Sequence, residues 1–190
     1  MTRQPPRERI LTAVRDLFYR HGINSVSVDA IVEAAATNKM TFYRHFKTKD
    51  HLVAEYLRGL AAEGDAFWED LASRFAGEPE RQLEAWLVHV EKIVSNMDER
   101  GCALANAAVE LPADHEGRAI IEDHKARKRD HLVALFRQAN YAEPENLADE
   151  VVLLFEGARI NIQCVGRGGP ATRVVNTLRA LLASAPRAEP

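Results

Sequence analysis

Between Ser27 and Lys49 the chain reads S-V-D-A-I-V-E-A-A-A-T-N-K-M-T-F-Y-R-H-F-K-T-K, and no other stretch constrains the fold as much. It holds two helical patterns of about two turns each with a tight connection between them. Ser27 can cap the first, because its hydroxyl accepts a backbone N–H a few residues on, and Asn38 can cap the second, which runs from Lys39 to about His45. Helices this short are marginal alone, since nucleating each costs more than its few hydrogen bonds return. They need a third element to pack on. A helix opened by Pro5 and Pro6 and stopped by Gly22 supplies it, with Ile10, Val14, Leu17 and Phe18 recurring on one face. Val28, Ile31, Val32 and Ala35 face the same core, and Phe42 and Phe46, one turn apart, anchor the last helix to it. Lys39, Met40, Thr41, Tyr43, Arg44 and His45 are left partly or wholly outside.

Such a unit reads as a helix-turn-helix. Its exposed last helix, about 10 Å long and rich in basic and hydroxyl groups, suits a DNA major groove about 12 Å wide. The same residues also fit an ordinary three-helix bundle with a solvated charged face. Charge distribution adds to the first reading. The net charge is −3, yet residues 1–50 hold nine Lys/Arg against five Asp/Glu, while residues 51–190 hold 16 against 23. A basic head on an acidic body is the electrostatic footprint of a DNA-binding module joined to something with another task.

The opening R-E-R-I-L-T-A-V-R-D-L-F-Y-R-H-G-I-N-S-V-S-V-D-A-I-V-E-A-A, followed by N-K-M-T-F-Y-R-H-F-K-T-K-D-H-L, resembles the N-terminal domain of TetR-family transcriptional regulators. The resemblance rests on Leu17, Phe18 and Gly22 at the end of the first helix, on Ser27, and on Lys39, Tyr43, His45, Phe46 and Lys49, and it covers residues 7–55. It implies that Ser27, Tyr43, His45 and Lys49 approach phosphates, and that Thr37, Asn38, Lys39, Met40 and Thr41 face base edges or the flanking backbone. It further implies a homodimer on a palindromic double-stranded operator, an effector pocket in the body and, as the family's usual mode, repression. A constitutive regulator without an effector is the alternative. Two departures stand out: Ala36 and Thr37 occupy a turn where the family commonly has Gly and an aliphatic residue, and Met40 stands where Gly is frequent.

Beyond Thr48, which can cap a fourth helix, no alternating strand pattern appears, and the class is all-α with about nine helices. The fourth carries Leu52, Val53, Tyr56, Leu57, Leu60, Phe67, Trp68, Leu71 and Phe75 to a break at Gly77 and Pro79, with Gly59 and Gly64 inside it as tolerated glycines or as a point of bending. A fifth from Pro79 carries Leu83, Trp86, Leu87, Val90, Ile93, Val94 and Met97. A sixth follows Gly101 and stops at Pro112, a seventh runs from about His115 to Asn140, an eighth from Pro144 to Gly166, and a ninth from Pro170 to before Pro186. Residues 1–48 form the expected helix-turn-helix domain and residues 49–190 the larger helical effector-binding and dimerisation domain.

Aromatic walls with a few polar groups describe small-molecule sites, which makes Trp68, Trp86, His89, Cys102, Asn106, Phe136 and Phe155 the candidate pocket residues; each also fits plain core packing. The family resemblance puts the dimer seam on the last two helices, here Phe155, Ala158, Ile162, Val174, Val175, Leu178 and Leu181. The run H-K-A-R-K-R-D-H, His124 to His131, reads as a solvated charged face with intrahelical pairs such as Asp123 with Arg127. His124 and His131 lie about 10 Å apart along a helix, too far to hold one metal ion. Cys102 and Cys164 have no ligand or disulfide spacing and read as two buried thiols, so neither metal nor cofactor is expected. No apolar run approaches a membrane span, and a cytoplasmic protein is expected. No nucleophile–base spacing, G-x-S-x-G or phosphate-cradling glycine loop is present, so the chain does not read as an enzyme.

Overall fold

A computed structural model describes residues 4–96, 100–166 and 168–189. Among them run nine α-helices: α1 (Pro6–His21), α2 (Val28–Ala34), α3 (Lys39–His45), α4 (Lys49–Arg74), α5 (Pro79–Asn96), α6 (Ala103–Glu110), α7 (Glu116–Gln138), α8 (Pro144–Val165) and α9 (Val174–Ser184). The described residues contain no strand, only an isolated bridge between Tyr141 and Arg187. Pro170 does not open α9 directly; it begins a 3-10 turn, Pro170–Arg173, that leads into it. Met97, expected on α5, lies outside the described residues.

The chain forms two compact units, one of residues 1–62 and 103–123, the other of residues 63–102 and 124–190. The division therefore falls inside α4 and inside α7. In the first unit, Ile10, Val14, Ile31, Phe42, Phe46, Leu52 and Leu57 are all fully buried, and Phe18 meets Tyr56 edge-on at 5.4 Å. Each short helix buries one face and leaves the other to solvent, as its apolar spacing requires. Ile23 and Val26, in the link between α1 and α2, are also buried. That link is pinned from α6. Asn24 donates its backbone N–H to Glu110 Oε2 at 2.9 Å, and its side-chain amide donates to the Glu110 carbonyl at 3.1 Å. Gly22 makes this possible: it has φ +83°, and a Cβ there would stand 2.7 Å from Glu110 Oε1.

The second unit has one core, from Trp68 on α4 to Leu182 on α9, in which Trp86, Phe136, Val151, Phe155, Ile162 and Leu178 are buried. Tyr141 donates its hydroxyl to the Leu182 carbonyl at 3.1 Å, so even its polar end is satisfied. Gly64 on α4 lets α7 approach closely, because a Cβ there would sit 2.5 Å from His124 Cε1. Two expectations are corrected in this unit. Cys102 is buried but Cys164 is exposed on α8. The run His124 to His131 is a solvated face only in part: Arg127 and Arg129 remain at the surface, where Arg127 reaches Asp65 on α4 at 3.0 Å, not Asp123, and Arg129 pairs with Asp149 on α8, whereas the half-buried Lys125 and Lys128 both bond Glu156. His131 stacks on Trp68 with centroids 5.2 Å apart. A helix packed on two neighbours turns charges inward that its own sequence leaves apparently outside.

Candidate nucleic-acid interface

The turn between α2 and α3 is built from backbone and caps alone. Ser27 Oγ accepts from the N–H of Ala30 at 3.2 Å and starts α2. At its other end, the N–H of Ala36 donates to Glu33 O at 3.0 Å and the N–H of Thr37 to Val32 O at 2.9 Å. These are the two bonds of a Schellman motif, which needs a left-handed residue after the helix. Ala36 fills that place with φ +46°, so a side chain sits where glycine is favoured. The chain then turns at once into α3, because Asn38 Oδ1 accepts from the N–H of Thr41 at 2.9 Å.

On α3, Phe42 points into the core and Tyr43 stands edge-on to it at 5.1 Å, 51% exposed. Met40, 85% exposed, shares the outer face with Tyr43 and with the exposed Arg44 and Lys47. The outer face thus offers one thioether, one phenol and two cations within a single helix and its exit. Spacing already placed Arg44 outward, but neither it nor Lys47 was among the expected DNA contacts; the phase of Phe42 and Phe46 leaves positions 43, 44 and 47 outward.

The remaining expected residues behave differently. Lys39 pairs with Asp29 at 2.8 Å, its pKa raised by that hydrogen bond and charge; both groups are well exposed, so the pair is weak and open to exchange. Thr37 and Thr41 are half-buried beside the caps. His45 is half-buried too, with Nε2 out of solvent and without a hydrogen-bond partner. Lys49, expected to approach phosphate, is half-buried. Its ammonium donates inward to the Ile23 carbonyl at 2.6 Å, and burial lowers its pKa. It ties the first turn of α4 to the same link that Glu110 holds.

In the second unit, four expected pocket residues, Trp68, Trp86, Phe136 and Phe155, are members of the packed core, and Cys102 is buried as well. His89 lines an open groove of about 540 Å³, where it stacks on Phe67 at 3.7 Å. Asn106 belongs to the other unit, half-buried on α6. Of the expected dimer residues, Phe155, Ala158, Ile162, Val174 and Leu178 are buried within the protomer's own core, and Val175 and Leu181 are half-buried against it. The outward residues of α8 are Leu153 at 72% exposure, Ile160 at 50% and Val165 at 61%, with Leu154, Gly157 and Cys164 between them. Among the described residues no group of three His, Cys, Asp or Glu side chains could hold a metal ion, and no helix is long and apolar enough to cross a membrane.

A capped two-turn helix with an outward polar face, held by a tight turn to a second short helix, defines a helix-turn-helix nucleic-acid-binding unit. Residues 10–56 match the sequence model of the bacterial regulatory proteins of the tetR family. The HTH-type transcriptional repressor DhaR of Mycobacterium sp. (strain GP1) is 25% identical over 111 residues, 58% of this chain and 54% of that protein. The HTH-type transcriptional regulator UidR of Escherichia coli (strain K12) is 42% identical over 50 residues, 26% of each chain, so these curated relatives are matched over about half and a quarter of their lengths. Among solved structures, a TetR-family transcriptional regulator from Streptomyces coelicolor superposes with a TM-score of 0.86 at 23% identity over 95% of both chains. A putative tetR-type regulator from Streptomyces avermitilis gives 0.77 at 29% identity over 96% of this chain and 98% of that one. Residues 10–56 therefore carry the sequence pattern of the tetR-family domain, and the whole chain has the fold of solved TetR-family regulators.

Proposed function

We propose that the protein is a ligand-responsive repressor that binds a palindromic DNA operator as a homodimer. The observation that carries this is the outward face of α3, where Met40, Tyr43 and Arg44 project from a helix whose inner face is locked by Phe42. Met40 can touch a thymine methyl, while Tyr43, Arg44 and Lys47 suit phosphate oxygens, so base reading and backbone positioning fall to different side chains. Lys39 joins the reading set by exchanging Asp29 for DNA, and Ser27, Thr37, Asn38, Thr41 and His45 frame the contact. Lys49 serves the interface indirectly by holding the link between α1 and α2.

For dimerisation the outward stripe of α8, Leu153, Leu154, Gly157, Ile160, Cys164 and Val165, repeats at spacings of three and four, and Gly157 permits close approach of a second helix. A second copy covering this stripe would set the two reading helices at a fixed separation, as a two-fold operator demands. Control of that separation by a small molecule requires that it bind one arrangement better than the other. Within the first unit, the Glu110–Asn24 bonds make any displacement of α6 felt at the link that supports α2 and α3.

The filled aromatic core around Trp86 and Phe136 favours one other reading, a constitutive regulator with no effector. Selecting bound fragments from the parent genome and titrating one of them tests both. The proposal expects a palindromic fragment, a steep loss of affinity with salt from phosphate contacts, and release by a small molecule. Absence of any bound fragment would overturn DNA recognition; a palindrome whose affinity no small molecule changes would leave the constitutive reading.

A further inference from the structure

On the facing sides of α7 and α8, three cations converge on one carboxylate oxygen. Glu156 Oε1 lies 2.6 Å from Lys125 Nζ, 3.1 Å from Lys128 Nζ and 3.8 Å from Arg159 Nη1. None of these is a loose surface pair: the side chains of Lys128 and Arg159 are 13% and 18% exposed and that of Glu156 is 25% exposed. Both inner cations also crowd one ring, with Lys128 Nζ 4.1 Å and the Arg159 guanidinium carbon 5.4 Å from the centroid of Phe155. Arg159 Nε is out of solvent and makes no hydrogen bond.

Charge removed from water must be compensated, and an unmatched donor on a buried guanidinium is costly. One carboxylate does not balance three cations. From α5, His89 does not supply the difference, since burial, with Lys92 and Lys128 acting in the same direction, lowers its pKa and favours the neutral ring. The protein's own groups report the imbalance: burial pushes the Lys128 ammonium down to about 8 in spite of Glu156, with Lys125 and Arg159 adding to the fall. The face of Phe155 attracts both cations but carries no net negative charge, so the cluster keeps an excess positive charge that a bound anion would balance.

We propose that the Lys128–Arg159 cluster binds a small molecule carrying a carboxylate and an apolar or aromatic group, the carboxylate bridging Lys128 and the unmatched edge of Arg159, the hydrocarbon lying toward Phe155. The planar fork of Arg159 favours a two-oxygen anion, and Phe155 favours an apolar remainder over a bare inorganic ion. Taking this molecule as the effector rests on the ligand-responsive reading above. The site itself does not.

Thermal melts of the full chain with benzoate, octanoate, their neutral primary amides and inorganic phosphate test the site, in the parent and in Lys128→Met and Arg159→Gln. The inference expects a rise in melting temperature with at least one carboxylate, none with its amide or with phosphate, and loss of that rise in both variants. It also expects ligand-free Lys128→Met to melt above the parent, because one of the crowded cations is gone. Equal response to amide and acid, response to phosphate alone, no response to any probe, or a response that survives both variants overturns it. Operator titration with the same carboxylate separates the two claims: binding through Lys128 without loss of DNA affinity removes the effector reading and keeps the site. Release of DNA by another molecule equally from parent and Lys128→Met keeps the effector reading and removes the carboxylate site from it.

Discussion

The first unit and the α7–α8 seam of the second use charge in opposite ways. On α3 every expected outward side chain is placed by bonds within a few residues: the Ser27 and Asn38 caps, the Schellman pair at Ala36 and Thr37, and the inward phase of Phe42. On α7 the cations are placed by partners far along the chain, Lys128 by Glu156, Arg129 by Asp149 and Arg127 by Asp65. Charges set by local geometry stay at the surface and available to a partner. Charges paired to neighbouring helices divide by depth: Arg127 and Arg129 stay at the surface, while Lys128, 13% exposed, is drawn inward, where it is held at a cost and can be answered by an ion.

The largest test of this contrast is Phe42→Ala. Removing a fully buried ring should cost about 3–5 kcal/mol and melt the head. Both tryptophans, Trp68 and Trp86, lie in the other unit, so their fluorescence should persist while helicity falls on heating. Simultaneous loss of both signals would show one cooperative block and weaken the contrast. Glu110→Ala comes next. It removes the carboxylate that accepts from Asn24, an expected loss of about 1–3 kcal/mol, and urea melts of the parent and variant would read it. An unchanged midpoint would mean that Glu110 does not hold the link.

Smaller and of opposite sign is Ala36→Gly. The residue sits at φ +46°, and relieving its Cβ should stabilise the head by about 1 kcal/mol in the same melts, without moving the turn. A destabilised variant would show that the turn holds no strain for glycine to relieve.

Much of the first unit was legible in the sequence because its determinants are short-range. Capping residues, a stop glycine and a turn-apart pair of phenylalanines each name a position without reference to distant chain. Helix starts in the second unit were legible for the same reason at Pro79 and Pro144, whereas Pro170 opens a 3-10 turn ahead of α9. What was not legible depends on which helices meet. Periodicity marks Ile162 and Leu178 as apolar but does not say whether they face the protomer's core or a second copy, and the structure puts them inside. Lys49 read as a phosphate contact and Lys128 as part of a solvated face, and neither reading shows the Ile23 carbonyl or Glu156 that each ammonium bonds. Cys164 read as a buried thiol because it has no ligand or disulfide spacing, although it lies exposed beside an outward apolar stripe.

The mildest prediction concerns pH. Burial opposes ionisation of Glu156, but Lys128, Lys125 and Arg159 outweigh it and hold its carboxyl down to about 2. A depressed carboxyl adds stability that is fully present above its ordinary 4.5 and is lost as the pH falls toward 2. Lys128 acts with the other sign. Its folded value near 8 lies below the ordinary 10.5, so its burial weakens the fold at neutral pH, and that penalty fades as pH rises from about 8 to 10.5. The stability difference between the parent and Lys128→Met should shrink across that window. A difference independent of pH there would mean that the amine is not held below its ordinary value.

The central claim is that the outer face of α3 reads DNA with a division of labour among its side chains. It is tested most directly by selecting preferred sequences from a randomised duplex library with the parent, Met40→Ala and Tyr43→Ala. The account predicts a palindrome for the parent, a changed base preference at symmetric positions for Met40→Ala, and an unchanged palindrome bound more weakly for Tyr43→Ala. Uniform weakening by both substitutions with no change in preferred sequence would contradict it.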